Sequence, residues 1–186
     1  MSDIDQVAIV TGGSRGIGRA ICARLAAQGA AICVNYAANQ GAADALVEEL
    51  RKAGAAAIAI CADVSDPEQV KDLVARSETE LGPTTILVNN AGVSVPVTLE
   101  GYDEAAVELM RRVNVNGVVH TVREVVGGMK ARSYGRIINI ASNAAIGTAL
   151  PGTTFYAATK AEVVILTRRF ALELGGTGIT SSTAST

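Results

Sequence analysis

Five short, almost wholly apolar runs, each followed by a longer stretch of helical periodicity, leave few folds open to this chain. The runs are QVAIVTG (6–12), AAICVNY (30–36), AAAIAICADV (55–64), TTILVNNA (84–91) and GRIINIAS (135–142). Apolar runs without polar alternation are what parallel strands covered on both faces require. The stretches between them predict helices over about 17–28, 40–53, 66–81, 102–132 and 155–175. Strand–helix alternation with right-handed crossovers builds an α/β, doubly wound parallel sheet. With 186 residues, 49% of them hydrophobic and 18% charged, the chain has the length of one domain and enough apolar mass for its core.

Charge and residue counts remove several classes of function. A net charge of −2 offers no broad basic surface, so neither nucleic acid nor an anionic membrane is an expected partner. The opening MSDIDQVAIV has no cationic segment followed by an apolar stretch, and the apolar runs are far shorter than a membrane span. A cytoplasmic location is expected. Cys22, Cys33 and Cys61 show no CxxC spacing and read as reduced core thiols. His120 is the sole histidine, which excludes a histidine-rich metal site; it reads as a helix-surface residue. No metal site is expected.

The first strand leads into TGGSRGIG (11–18), where Gly12, Gly16 and Gly18 let the backbone turn tightly and approach a ligand. The helix beginning near Ile17 would aim its unpaired N–H groups and positive dipole end at a pyrophosphate. A NAD-type site places an acid about 20 residues further on, against the ribose hydroxyl. Here the second strand ends in Asn35, Tyr36 and Ala37, with no acid. Arg15 either pairs with a 2′-phosphate beside Tyr36 or is a solvated charge, and the missing acid favours NADP(H) over NAD(H). Asp63, ending the third strand, either accepts from an adenine amine or orders the turn, with Asp66 or Ser65 capping the next helix. Asn89 and Asn90 in ILVNNAG either tie neighbouring strands together or meet the ligand.

The fifth strand delivers Ser142 to the same sheet edge. Beyond it, FYAATK (155–160) sets Tyr156 and Lys160 four residues apart, on one helix face. Tyrosine titrates near ~10, and lowering that to about 7 takes roughly 4 kcal/mol. One cation about 4 Å away supplies on the order of 4 kcal/mol at an effective dielectric of 20. A Tyr–Lys pair is therefore a sufficient proton-transfer device, and Ser142 adds a donor for an oxyanion.

TGGSRGIG, NNAG, Asn114 within RRVNVNG, Ser142 and YAATK together resemble the short-chain dehydrogenase/reductase family, over residues 4–179 and in order. The resemblance implies a Rossmann-like fold and an oxidoreductase interconverting a ketone and a secondary alcohol. By it, Tyr156 is the general acid/base, Lys160 binds the cofactor ribose and lowers the tyrosine pKa, Ser142 holds the substrate oxygen and Asn114 anchors a relay water. It also implies cofactor contacts from Gly12, Arg15, Gly16, Ile17, Gly18, Asp63, Val64, Asn90, Ala91 and Gly92. The region 141–175 looks most like 3-oxoacyl-carrier-protein reductases, with glucose-type sugar dehydrogenases as the alternative substrate class.

Family members continue into a sixth strand, a Pro–Gly turn, a helical substrate lid and a last strand. Residues 175–186, GGTGITSSTAST, carry only Ile179 and Ala184 as apolar side chains in the last eight positions. The expectation is a catalytic domain over 1–178 missing its last strands, with an irregular or disordered tail over 179–186. A non-catalytic nucleotide-binding fragment is the reading of another class. The long helices at 102–132 and 155–175 resemble those of the family's dimer interface and predict a homo-oligomer, dimer or tetramer.

Overall fold

The computed structural model describes residues 5–147 and 150–185, so that residues 1–4 and Thr186, the last of the expected tail, lie outside the described residues. The strands are β1 (Val7–Val10), β2 (Ala31–Tyr36), β3 (Ala57–Cys61), β4 (Ile86–Asn89), β5 (Gly135–Ala141) and β6 (Ile179–Ser185). The helices are α1 (Gly16–Ala26), α2 (Gln40–Lys52), α3 (Pro67–Leu81), α4 (Glu104–Arg111), α5 (Gly117–Ala131) and α6 (Thr154–Glu173). All strands run parallel in the order β3-β2-β1-β4-β5-β6. The expected helix over 102–132 is instead two α-helices joined by a π-helical turn, Arg112–Asn116, which carries Asn114. Such turns concentrate at functional sites.

The strand side chains divide by parity, as a pleated sheet demands. Ala8, Val10, Ile32 and Val34 face α1 and α2, where Cys22, Leu46 and Leu50 close one core. Ile9, Cys33, Leu87 and Ile137 face α3, α5 and α6, where Leu73, Val122, Met129 and Val163 close the other. Cys22 and Cys33 are buried, as the sequence predicts, and burial pushes both thiols up to about 12. Cys61 departs from that expectation: it ends β3 in an exposed position, its thiol on the Ala37 carbonyl.

The expected disordered tail is corrected. Residues Ile179–Ser185 pair with the whole of β5, from Gly135↔Ile179 to Ala141↔Ser185. A strand rich in Ser and Thr is excluded from a doubly covered centre, but β6 lies at the sheet edge. Apart from Ile179 and Ser181 its side chains are exposed, and there β-branched Thr is a good strand former.

A chain of buried polar side chains crosses the sheet. Thr121 on α5 donates to Asn89 Oδ1 (2.7 Å), Asn89 Nδ2 to Asn139 Oδ1 (2.8 Å), and Asn139 Nδ2 to Thr167 Oγ1 on α6 (2.8 Å). Asn89 thus ties strands together. Because each member satisfies the next, Asn139→Ala should leave the buried Asn89 Nδ2 without its acceptor and Thr167 with only its bond to the Val163 carbonyl, lowering unfolding stability by about 1–3 kcal/mol. Urea unfolding checks this, and a loss under about 0.5 kcal/mol would show that the chain adds nothing to stability.

Candidate active site

At the carboxyl edge of β1 and β4 the sheet parts, with α1 on one face and α5 on the other, and a cleft of about 610 Å³ opens there. Its walls are mostly backbone and small residues. Gly12, Arg15, Gly16 and Ile17 come from the first turn; Tyr36 ends β2; Asp63 and Val64 follow β3; Asn90, Ala91 and Gly92 follow β4. Of the cofactor residues expected from sequence, Gly18, Tyr156 and Lys160 are absent from this lining, Gly18 because it is buried beneath the turn. A Cβ there would stand 2.4 Å from the Gly12 carbonyl and 2.5 Å from Asn90 Nδ2, so only glycine closes the turn. Gly12 itself adopts φ +59°.

The first turn of α1 has no acidic residue, and its N-cap, Arg15, makes no side-chain cap. Its amides and dipole are thus left for an anion. The strand ends around it are locked from outside. Thr11 Oγ1 accepts from the Asn90 and Ala91 amides, both at 3.0 Å, and Asn90 Nδ2 donates to the Thr11 and Gly12 carbonyls at 2.9 and 3.0 Å. Asn35 accepts from Gly12 N and donates to Ala62 O at 2.9 Å, joining β1, β2 and the end of β3. Asp63 Oδ1 accepts from Ser65 N, ordering its turn, while Asp66 caps α3. Thr11 and Asn35 are site residues that the sequence reading missed; the signal, a polar residue inside an apolar strand, was the one that singled out Asn89 and Asn90.

A second cleft, of about 320 Å³, lies beyond Val93. Ser142 and Tyr156 both line it, with Ser94, Asn143, Leu150 and Thr153. Ser142 follows β5 directly and also accepts from Ala144 N (3.3 Å). Lys160, one turn below Tyr156, is only 5% exposed. Its Nζ donates to the Ile140 carbonyl (2.8 Å) and lies 5.8 Å from the centre of the Tyr156 ring. A Cβ on Gly92 would stand 3.5 Å from that Nζ and 3.3 Å from Asn114 Oδ1, so Lys160 reaches the boundary between the clefts.

Asn114 lines neither cleft. Its Oδ1 accepts from Val93 N (2.8 Å), and its Nδ2 donates to Val93 O (2.9 Å) and Thr159 Oγ1 (3.0 Å). Both side-chain donors are therefore committed, leaving one Oδ1 lone pair for a further partner. What the side chain visibly does is pin the ridge between the clefts to the helix that carries Tyr156 and Lys160.

With this geometry in view, comparison with known proteins is informative. The family model for short chain dehydrogenases matches residues 6–185. This chain belongs to that family. It is 38% identical over 178 residues to a 3-oxoacyl-[acyl-carrier-protein] reductase, FabG, of Staphylococcus epidermidis, covering 95% of this chain and 72% of that protein. Among solved structures it superposes on a Serratia marcescens short-chain dehydrogenase/reductase variant with TM-score 0.91 at 38% identity, covering 96% of this chain and 72% of the other. A blue fluorescent protein from a metagenomic library, in complex with NADPH, gives 0.89 at 41% identity, with the same coverage. The chain is thus of an oxidoreductase family and spans about 72% of the length of these relatives.

Burial without a carboxylate partner lowers the Lys160 ammonium from 10.5 to about 8. Below about pH 8 both folded and unfolded chains hold the proton, and folding bears the whole desolvation cost. Above it the folded chain releases the proton while the unfolded chain keeps it to 10.5, so stability rises over that window, by about 3 kcal/mol in all. Lys160→Met should be the more stable protein at pH 7, with the difference closing toward pH 10.5. Urea unfolding of both proteins across pH 7–10.5 measures this, and a constant difference would disprove the cause assigned to the shift.

Proposed function

We propose that the chain is an NADP(H)-dependent reductase of 3-oxoacyl thioesters or closely related ketones, working in the cytoplasm. The observation that carries this is the convergence of Ser142 and Tyr156 on one cleft, with Lys160 reaching from beneath Tyr156 to the wall of the other. The larger cleft fits a dinucleotide. Its glycine turn admits no Cβ at position 18, and the α1 amides and Arg15 suit phosphates. The end of β2 has no acid to repel a 2′-phosphate.

Hydride chemistry is what a bound nicotinamide supplies; the chain's own residues manage the proton and the oxygen. Ser142 Oγ and the Tyr156 hydroxyl share a cleft in which one carbonyl oxygen can meet both. As that oxygen gains negative charge, Tyr156 gives it a proton, and Ser142 stabilises it by a hydrogen bond. The Lys160 charge favours the tyrosinate this leaves. Lys160 spends one of its three N–H groups on Ile140 O, and the other two remain for ribose hydroxyls. Asn114 acts by holding Val93 and Thr159; its last lone pair is the side chain's one place for a relay water.

A 3-oxoacyl substrate is favoured over a sugar by the rim. Leu150 lines the smaller cleft at 65% exposure, and Ile146, which ends the short turn that supplies Asn143 to the same cleft, is 90% exposed. Such exposed apolar side chains give an acyl chain a surface that a sugar has no use for. Ile165 and Leu172, seven residues apart on α6, are also exposed and give a homo-oligomer an apolar seam.

Titration of the purified chain with NADPH and NADH, then turnover of acetoacetyl thioester and glucose, tests the reading. NADPH should bind more tightly, the thioester should be reduced and Tyr156→Phe should lower turnover by about 100-fold or more. Oxidation of glucose alone would overturn the substrate. Nucleotide binding with no turnover would favour a non-catalytic fragment.

A further inference from the structure

We infer that His120 is a positioning residue for the nucleotide site, acting through the main chain of Val64. This rests on the reading of the larger cleft as a dinucleotide site. The turn after β3 supplies Asp63 and Val64 to that cleft, and two helices grip it from behind. From α3, Gln69 Oε1 accepts from Asp63 N (2.9 Å), while Gln69 Nε2 bonds Asp66 Oδ2 (2.9 Å). From α5, His120 Nδ1 bonds the Val64 carbonyl (3.0 Å). That carbonyl only accepts, so Nδ1 carries the hydrogen, and it does so in the neutral and the charged ring alike.

A second contact makes the grip specific to α5. Gly117, one turn before His120, lies against the Val64 side chain, where a Cβ would stand 2.7 Å from Val64 Cγ2. Val64 is thus seated twice on the same helix face, through its side chain at Gly117 and its carbonyl at His120. Its side chain is 5% exposed, so the residue shapes the cleft wall from a fixed backbone. The remaining polar groups of the turn close on themselves: Asp66 N donates to Asp63 O (3.0 Å) and Ser65 N to Asp63 Oδ1 (2.9 Å). Freed from His120, the Val64 carbonyl would lose its anchor to α5 and the wall would widen.

The test uses the geometry of the donor. Asn Nδ2 lies as many bonds from Cβ as His Nδ1, whereas the Gln amide lies one bond further. NADPH affinity of the full chain is measured by fluorescence titration for wild type, His120→Leu, His120→Asn and His120→Gln, with amide exchange of Ser65 and Asp66 in the nucleotide-free proteins. His120→Leu should weaken NADPH by about 3- to 10-fold, the range of one net hydrogen bond, and speed that exchange. His120→Asn should return both to within about twofold of wild type, and His120→Gln should not. Equal affinity in wild type and His120→Leu overturns the inference alone, as does failure of His120→Asn to improve on His120→Leu. If wild type binds neither NADPH nor NADH, the nucleotide reading falls, and this inference with it.

Discussion

Everything at the site depends on how two adjacent strand ends satisfy their polar groups without filling the gap between them. Parallel β1 and β4 part at their carboxyl ends, since α1 lies on one face and α5 on the other. Backbone amides and carbonyls that leave a sheet must find partners, and plugging the crevice with side chains would abolish a site. Thr11 and Asn90 solve this by bonding each other's main chain, with one hydroxyl taking two amides and one amide nitrogen giving to two carbonyls. Their small side chains stay at the strand ends. Asn35 does the same on the other side of β1. The α1 amides are the groups left over, and they face the cleft.

Lys160 shows the opposite economy. The buried polar chain from Thr121 to Thr167 is satisfied at every link and stabilises the fold. Lys160 is buried with one carbonyl for company, and the desolvation shows as a lowered affinity for its proton. A group that opposes folding persists where the strain serves chemistry. The same holds for the π-helical turn, which interrupts a good α-helix to set Asn114 against Val93 and Thr159. Stability is concentrated under the sheet, and its exceptions cluster where the two clefts meet.

The sheet was legible because uninterrupted apolar runs have few uses other than covered parallel strands, and the meeting of Ser142 and Tyr156 in one cleft because a Tyr, a Lys and a Ser at those spacings share one sheet edge. The misreadings have physical causes. The 179–185 segment was judged by the rule for a central strand, and sequence does not say which strand will be an edge. Cys61 falls at the last residue of β3, where the strand emerges from cover. His120 was read as a surface residue because helical periodicity shows a face and not what abuts it; the carbonyl it meets lies 56 positions earlier. Nor does spacing show the partners of Asn114, whose side-chain donors go to Val93 and Thr159.

The two clefts also differ in what a sequence can disclose about them. The larger is built by backbone at the ends of regular elements, so its position follows from the topology, and the phosphate preference proposed for it from glycine, a helix end and one missing acid. In the function proposed, Ser142 and Tyr156 in the smaller one act on a carbonyl oxygen, the atom common to every substrate of the class. Selectivity must come from what surrounds that atom: Ser94, Asn143, Leu150 and Thr153, all outside the strands and α-helices. Such segments have no periodicity to be read, and their side chains are free to vary while the fold stays fixed. A reaction class is therefore written in spacings, whereas a substrate is written in surfaces that only the folded chain assembles.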